Sequence, residues 1–259
     1  MPSKYVEPFR FRQFEVAHDR SSMRVNTDAV LLGAWCPLPD ADATSEATTR
    51  MLDVGTGSGV IALMLAQRCP SAAITAIDID EPSVLQAADN FRHSPWSDRL
   101  SARHISLQDY AGKLTSLTSC SSPTSPTSFA RWNPFHLIIS NPPYFRNALR
   151  NPDPTRSQAR HTDTLSFDEL CRSASLLLTD GGILALVLPA DAEEEILTSG
   201  ARYGLYPTHL TRVHTRTDLP PKRILLALQK QSQYVNHHAV DSLSIGSDEY
   251  RALCGEFYL

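Results

Sequence analysis

Met51-Leu52-Asp53-Val54 runs directly into Gly55-Thr56-Gly57-Ser58-Gly59, and an apolar helical pattern follows at once. No other stretch of the chain constrains the fold as much. Ile61 and Leu65 share a helical face that continues to Cys69, where Pro70 stops it. Glycines between a strand and a helix let the backbone turn tightly and approach a ligand closely. The spacing is GxGxG, not the GxGxxG that seats a pyrophosphate on a helix N-terminus. An acid, Asp53, precedes the first glycine by two positions, which suits a cationic amino-acid moiety better than a phosphate. Asp53 can equally be a buried, hydrogen-bonded acid that organises the turn, and the two roles are compatible.

The same strand-then-helix rhythm recurs along the chain. Ile74 to Ile79 reads as a second strand, and Pro82 opens a helix with Val84, Ala88 and Phe91 on one face. Leu100 to Ile105 and His136 to Ser140 read as third and fourth strands. Ser166-Phe167-Asp168-Glu169 resembles a capping box before a helix with Leu170, Ala174 and Leu177 on one face. Gly181-Gly182 is expected to end that helix, with Ile183 to Leu188 as a fifth strand and Ala190 to Tyr203 helical. His209 to His214 and Arg223 to Leu228 read as two strands that can pair antiparallel. Repeated βα units imply right-handed crossovers and a doubly wound, mostly parallel α/β sheet in one domain. Asp78, nineteen residues after Gly59, ends the second strand, where a carboxylate can accept ribose hydroxyls. Asp80, followed by Glu81-Pro82, reads as a helix cap.

Residues 37–50 are polar and Pro/Ala/Thr-rich, and read as a linker between an N-terminal segment (1–36), expected to cover the substrate and cofactor, and the sheet domain (51–259). Residues 115–128 are a Ser/Thr/Pro-rich stretch expected to form a surface loop. Hydrophobic content of 42% and charged content of 20% describe a globule with a sizeable core. A net charge of −4 means that any nucleic-acid binding must rely on a local patch. The five cysteines include no CxxC pair and no histidine at ligand spacing, so neither structural metal nor disulfides are expected. No apolar run approaches membrane-spanning length and the start lacks an apolar h-region, which reads as a cytoplasmic chain with no membrane partner.

Asn141-Pro142-Pro143-Tyr144 follows the apolar run Leu137-Ile138-Ile139. The four residues therefore sit at the carboxyl end of a buried strand, where open α/β sheets bind ligands. Asn offers a carbonyl acceptor, the prolines fix φ and leave carbonyls without competing amides, and Tyr offers a flat face for a base. That combination suits a planar amine such as the exocyclic N6 of adenine. A Pro-Pro turn with an aromatic ring packed beneath it is the alternative.

Together, Asp53 to Gly59, Asp78 and Asn141 to Tyr144 resemble a class I S-adenosylmethionine-dependent methyltransferase acting on an amino group. Further segments narrow the resemblance. They are Phe11 to Arg20, Asn26 to Trp35, Ser94-Pro95-Trp96, Gln158-Ala159-Arg160, Leu225-Leu226-Ala227 and Phe257-Tyr258-Leu259. With them the chain is similar, from about residue 9 to 259, to the tRNA1(Val) adenine-N6-methyltransferase family, which modifies the adenine immediately 3′ of the anticodon, position 37. The resemblance implies a Rossmann-like, seven-stranded sheet with an antiparallel C-terminal pair. It also implies S-adenosyl-L-methionine as cofactor, the anticodon arm of a tRNA as partner, and a monomer.

Carried over by position, Asp53, Gly55, Thr56 and Gly57 would line the methionine end of the cofactor. Asp78 would hold its ribose, and Ile79 would cover one face of its adenine. Asn141, Pro142 and Tyr144 would hold the substrate base, and Asn141 would also contact the cofactor. Such enzymes usually place an acid just after the third strand; here that position is Ser106, followed by Leu107, with Asp109 three residues on. Either Ser106 with the Leu107 backbone meets the cofactor adenine, or Asp109 does. Phe145, Arg146, Arg150, Arg156, Arg160 and His161, and the pair Lys222-Arg223, are candidate RNA contacts, as are Arg10, Arg12, Arg20 and Arg24. Each of the cations can also be a solvated surface charge. His18-Asp19 and His237-His238 lack partners at ligand spacing and read as surface or packing residues. The rival functions are a protein-glutamine N5-methyltransferase, a DNA or rRNA amino-methyltransferase, and a non-catalytic RNA-binding module. An NAD-dependent oxidoreductase is disfavoured by the glycine spacing.

Overall fold

A computed structural model describes residues 6–39, 48–119, 134–142, 165–232 and 239–258. The chain opens with a short antiparallel pair, β1 (Phe9–Arg10) and β2 (Glu15–Val16), followed by α1 (Thr27–Trp35). Then come β3 (Thr49–Val54), α2 (Val60–Arg68), β4 (Ala72–Asp78), α3 (Glu81–Arg92), β5 (Leu100–His104) and α4 (Leu107–Ser119). The second half supplies β6 (Phe135–Ser140), α5 (Phe167–Leu177), β7 (Leu178–Pro189), a 3-10 turn (Ala190–Ala192) and α6 (Glu193–Arg202). It closes with β8 (Leu205–His214), β9 (Arg223–Lys230), β10 (Ala239–Ser244) and α7 (Asp248–Cys254).

Eight strands form the main sheet among the described residues, in the order β10-β8-β9-β7-β6-β3-β4-β5. Every strand is parallel to β3 except β9, which runs against both β7 and β8. The chain lays down β3, β4 and β5 in one direction and then returns to place β6 on the other side of β3. The crevice of a doubly wound sheet therefore opens at the carboxyl ends of β3 and β6. Buried strands with apolar side chains on both faces make this possible. Met51, Leu137, Ile139 and Ala185 pack under α1 and α2, while Leu52, Val54, Ile138 and Leu186 pack under α4 and α5.

The antiparallel β8–β9 pair is as expected, but the sheet has eight strands, not seven. The eighth, β10, lies parallel to β8 at the edge and is mostly exposed, with only Leu243 buried. Asp80 caps α3 by accepting the Ser83 amide, and Ser166 with Glu169 completes the expected capping box on α5. Gly181-Gly182 does not end α5. That helix stops at Leu177, β7 begins at Leu178, and the glycines lie inside the strand, where its register with β6 shifts. Thr49 and Arg50, assigned to the linker, belong to β3, and residues 115–119 of the low-complexity stretch continue α4. The N-terminal segment is not peripheral: Phe11, Phe14 and Val16 are buried in the same core as Phe257.

Candidate active site

Asp53 is the second-last residue of β3, on the α2 side of the sheet, and is fully buried. Its Oδ2 accepts a 2.6 Å hydrogen bond from the Thr56 hydroxyl. Its Oδ1 is buried without a well-formed hydrogen bond among the described residues. Burial is the main reason its pKa rises from 3.8 to about 7. The nearby Asp78 charge pushes the same way, while the Thr56 hydroxyl and the Ala62 amide at the start of α2 oppose it.

Gly55, Gly57 and Gly59 all have positive φ, at 70°, 56° and 84°. A Cβ on Gly55 would meet nothing within 4 Å, whereas one on Gly59 would strike the Phe91 ring at 2.6 Å. The first glycine therefore faces an open cradle and the last lets α2 pack on α3. Gly55 and Thr56 donate their amides to the Ile77 carbonyl, at 2.9 and 3.1 Å, which anchors the turn on β4. Asp78 ends β4, and its carboxylate accepts the Gly57 amide at 2.9 Å and the Asp80 amide at 3.0 Å. Ile79 follows with 60% of its surface exposed, a large apolar side chain left beside an acid at the mouth of the crevice.

Ser106 caps α4. Its Oγ accepts the Asp109 amide at 3.0 Å and donates to Asp109 Oδ2 at 2.8 Å. Leu107 is buried at the first helical position, where a backbone amide has no intrahelical partner.

Asn141 and Pro142 follow β6, which lies beside β3 in register Val54 to Ser140. The Ser140 hydroxyl donates to the Val54 carbonyl at 2.8 Å in a buried contact, so the last residues before Gly55 and Asn141 are locked together. Pro142 is buried and Asn141 half-buried. Pro143, Tyr144, Phe145, Arg146, Arg150, Arg156, Arg160 and His161 lie outside the described residues, as do His237 and His238.

Several cations proposed for RNA are engaged within the protein. Arg223 donates to Asp28 Oδ2 at 2.9 Å and to the Lys222 carbonyl at 3.0 Å. Arg10 pairs with Glu15 at 3.3 Å, and Arg20 with Asp89. Lys222 is exposed. His18 is half-buried; burial chiefly lowers its pKa, and Nδ1 has no hydrogen bond among the described residues. The four described cysteines are free and buried. Among the described residues no group of three or more His, Cys, Asp and Glu is placed to hold a metal, and no helix is long and apolar enough to cross a membrane. Sequence reasoning missed Ser83, Gln86 and Asn90, three buried polar residues on the face of α3 toward the turn. Their only signal is polar side chains at helical spacing where apolar ones are expected.

This sheet order, with the glycine turn and the Asn-Pro step on adjacent strand ends, is that of a class I S-adenosylmethionine-dependent methyltransferase. A predicted O-methyltransferase from Agrobacterium tumefaciens superposes with a TM-score of 0.59 at 19% identity, over 88% of this chain and 96% of that one. The family model Ribosomal protein L11 methyltransferase (PrmA) matches residues 36–113, which include β3, β4 and β5. A tRNA1(Val) (adenine(37)-N6)-methyltransferase of Phocaeicola vulgatus is 43% identical over 100% of this chain and 99% of its own length. One of the same name from Serratia proteamaculans is 40% identical over 97% of this chain and 89% of its own length. The chain belongs to the tRNA1(Val) (adenine(37)-N6)-methyltransferase family.

Proposed function

We propose that this chain methylates N6 of adenine 37, next to the anticodon of tRNA1(Val), using S-adenosyl-L-methionine. The observation that carries the reading is the pairing of Val54 with Ser140, which puts the glycine turn and Asn141-Pro142 side by side at the crevice. The names of the full-length relatives supply the substrate.

The residues present fit the cofactor. Asp53 Oδ1 would accept from the cofactor's amino group, and Gly55, Thr56 and Gly57 would admit the methionine moiety against backbone. Asp78, held by two amides, keeps acceptor capacity for the ribose hydroxyls, and exposed Ile79 would gain an adenine ring as cover. With the Ser106 hydroxyl and Asp109 engaged in capping α4, the Leu107 amide, which has no intrahelical partner at that position, is the better partner for the adenine edge. The bound cofactor supplies a sulfonium methyl group, an electrophilic carbon.

Adenine N6 is a weak nucleophile because its lone pair is delocalised into the ring. The Asn141 side-chain oxygen and the Pro142 carbonyl would accept its two hydrogens and favour a tetrahedral nitrogen as charge develops, an interaction stronger in the transition state than in the ground state. The proton leaves to water after transfer, so no general base is required. Tyr144 would stack on the extruded base. Lys222, with Phe145, Arg146, Arg156 and Arg160, would contact the anticodon arm. The enzyme would act as a cytoplasmic monomer.

Incubation with labelled cofactor and total unmodified tRNA, followed by nucleoside analysis, tests the reading. N6-methyladenosine in a valine tRNA is expected. Label found only in protein would instead favour the glutamine-directed chemistry.

A further inference from the structure

Residues 17–22 lack regular secondary structure, yet their backbone is tightly held. The Ala17 amide donates to Asn90 Oδ1 at 3.0 Å, the Arg20 amide to Gln86 Oε1 at 3.0 Å, and the Ser22 amide to Ser83 Oγ at 3.3 Å. Asn90 Nδ2 answers with 2.8 Å bonds to the carbonyls of both Ala17 and Ser58, so one amide group joins this segment to the glycine turn. Ser83, Gln86 and Asn90 lie three and four residues apart on one face of α3, and all are buried. A helix that gives Ser83, Gln86 and Asn90 half of its six buried positions has traded part of its apolar packing for backbone contacts along one extended strap. The strap passes directly over the turn, because Ser21 Oγ is 3.4 Å from where a Cβ on Gly57 would stand.

Beyond Ser22 the strap continues to Asn26, which caps α1 by accepting the Ala29 amide. Asp28 in the first turn of α1 then meets Arg223. Arg223 opens β9 opposite Pro189, the last residue of β7, on the same edge of the sheet as Gly55 and Asn141. Both members of this pair are partly buried, at 36% and 26% side-chain exposure.

Resting on the reading that the glycine turn holds S-adenosylmethionine, we propose that residues 17–28 form a fixed wall of the cofactor site, pinned at one end by α3 and at the other by Arg223. Arg223 is then a positioning residue for the cofactor and not an RNA contact. Its ion pair orients α1 and through it the strap, while exposed Lys222 beside it stays available to RNA.

The test uses the full chain, with S-adenosylhomocysteine as probe in calorimetry and an anticodon-arm RNA in a separate titration. Arg223→Ala and Asp28→Asn are each expected to weaken S-adenosylhomocysteine binding by roughly fivefold, with the double variant no worse than either alone. Arg223→Lys, which keeps a cation for Asp28, should recover most of the loss. Amides of residues 17–24 should exchange faster with solvent in Arg223→Ala while those of β3 and β4 do not, and RNA affinity should hold. Gln86→Leu, at the other pin, should reproduce the cofactor defect. Unchanged cofactor affinity with weakened RNA binding in Arg223→Ala would overturn the proposal, as would strap exchange identical to wild type. Failure of the wild-type chain to bind S-adenosylhomocysteine would overturn the cofactor reading itself.

Discussion

The Gly57 amide donates to Asp78 Oδ2 at 2.9 Å, tying the turn that leaves β3 to the acid that ends β4. The same carboxylate accepts the Asp80 amide through its other oxygen at 3.0 Å, just ahead of α3. One side chain thus sets the relative position of the glycine turn and the helix that carries the strap's anchors. A carboxylate oriented by two backbone donors reaches the crevice already aimed, so little ordering is left for binding.

Asp78→Ala removes both braces and the proposed ribose acceptor together. It is expected to lose about 1–3 kcal/mol of stability and at least roughly tenfold in cofactor affinity. Asp78→Asn keeps oxygen for only one of the two amides and should fall between. Thermal melts paired with cofactor titration check the order.

Gly55 and Gly59 separate binding from folding. Both have positive φ, which costs a residue with a Cβ about 1–2 kcal/mol. Gly55→Ala adds a Cβ that touches nothing, so it should cost only that amount in stability while the methyl occupies the cradle and cuts cofactor affinity sharply. Gly59→Ala also strikes Phe91 at 2.6 Å and should lose a further ~1–3 kcal/mol. Equal melting temperatures for the two variants would contradict this division.

Much of this site is legible from residue types, because each part depends on local rules. A strand, three spaced glycines and a helix define the turn; an acid marks the next strand end; Asn-Pro after an apolar run marks the third. What sequence does not disclose is non-local. β10, Ala239–Ser244, has little apolar alternation and owes its place to pairing with β8. Nothing near Arg223 in the chain points to Asp28, which is 195 residues away. The Gly181-Gly182 pair suggests a helix stop, but α5 ends by turning straight into β7, whose irregular start uses the glycines.

Ser106 stands where an acid was expected, and its hydroxyl is spent on the α4 cap. Ser106→Ala should cost about 0.5–2 kcal/mol of stability and change cofactor affinity little. Ser106→Asp keeps a capping oxygen and adds a carboxylate for the adenine amine. A gain on the order of 1 kcal/mol, or about fivefold in affinity, is expected from that one hydrogen bond. Calorimetric titration of the three proteins decides it, and a weaker Ser106→Asp complex would point to a different adenine position.

Asn141→Ala deletes one of the two proposed acceptors for the substrate amine while leaving the glycine turn intact. Turnover should nearly vanish with cofactor affinity held within about twofold. Single-turnover kinetics with saturating RNA isolates the chemical step, and a wild-type rate there would remove Asn141 from the mechanism.

Asp53 gives the pH dependence its sign. Its folded pKa is raised, mainly by burial, from 3.8 to about 7. The contribution to stability without cofactor is therefore fully present below the unfolded value and is lost as pH rises through about 7. A cationic amino group beside Oδ1 favours the ionised form, so cofactor binding below pH 7 should expel a proton and affinity should climb as pH approaches that value. Titrations at about pH 6 in two buffers of different ionisation enthalpy measure the proton directly. Asp53→Asn, which can still accept from Thr56, should bind more weakly and release no proton. A wild-type affinity flat between about pH 6 and 8, with no proton released, would mean that Asp53 serves only to organise the turn.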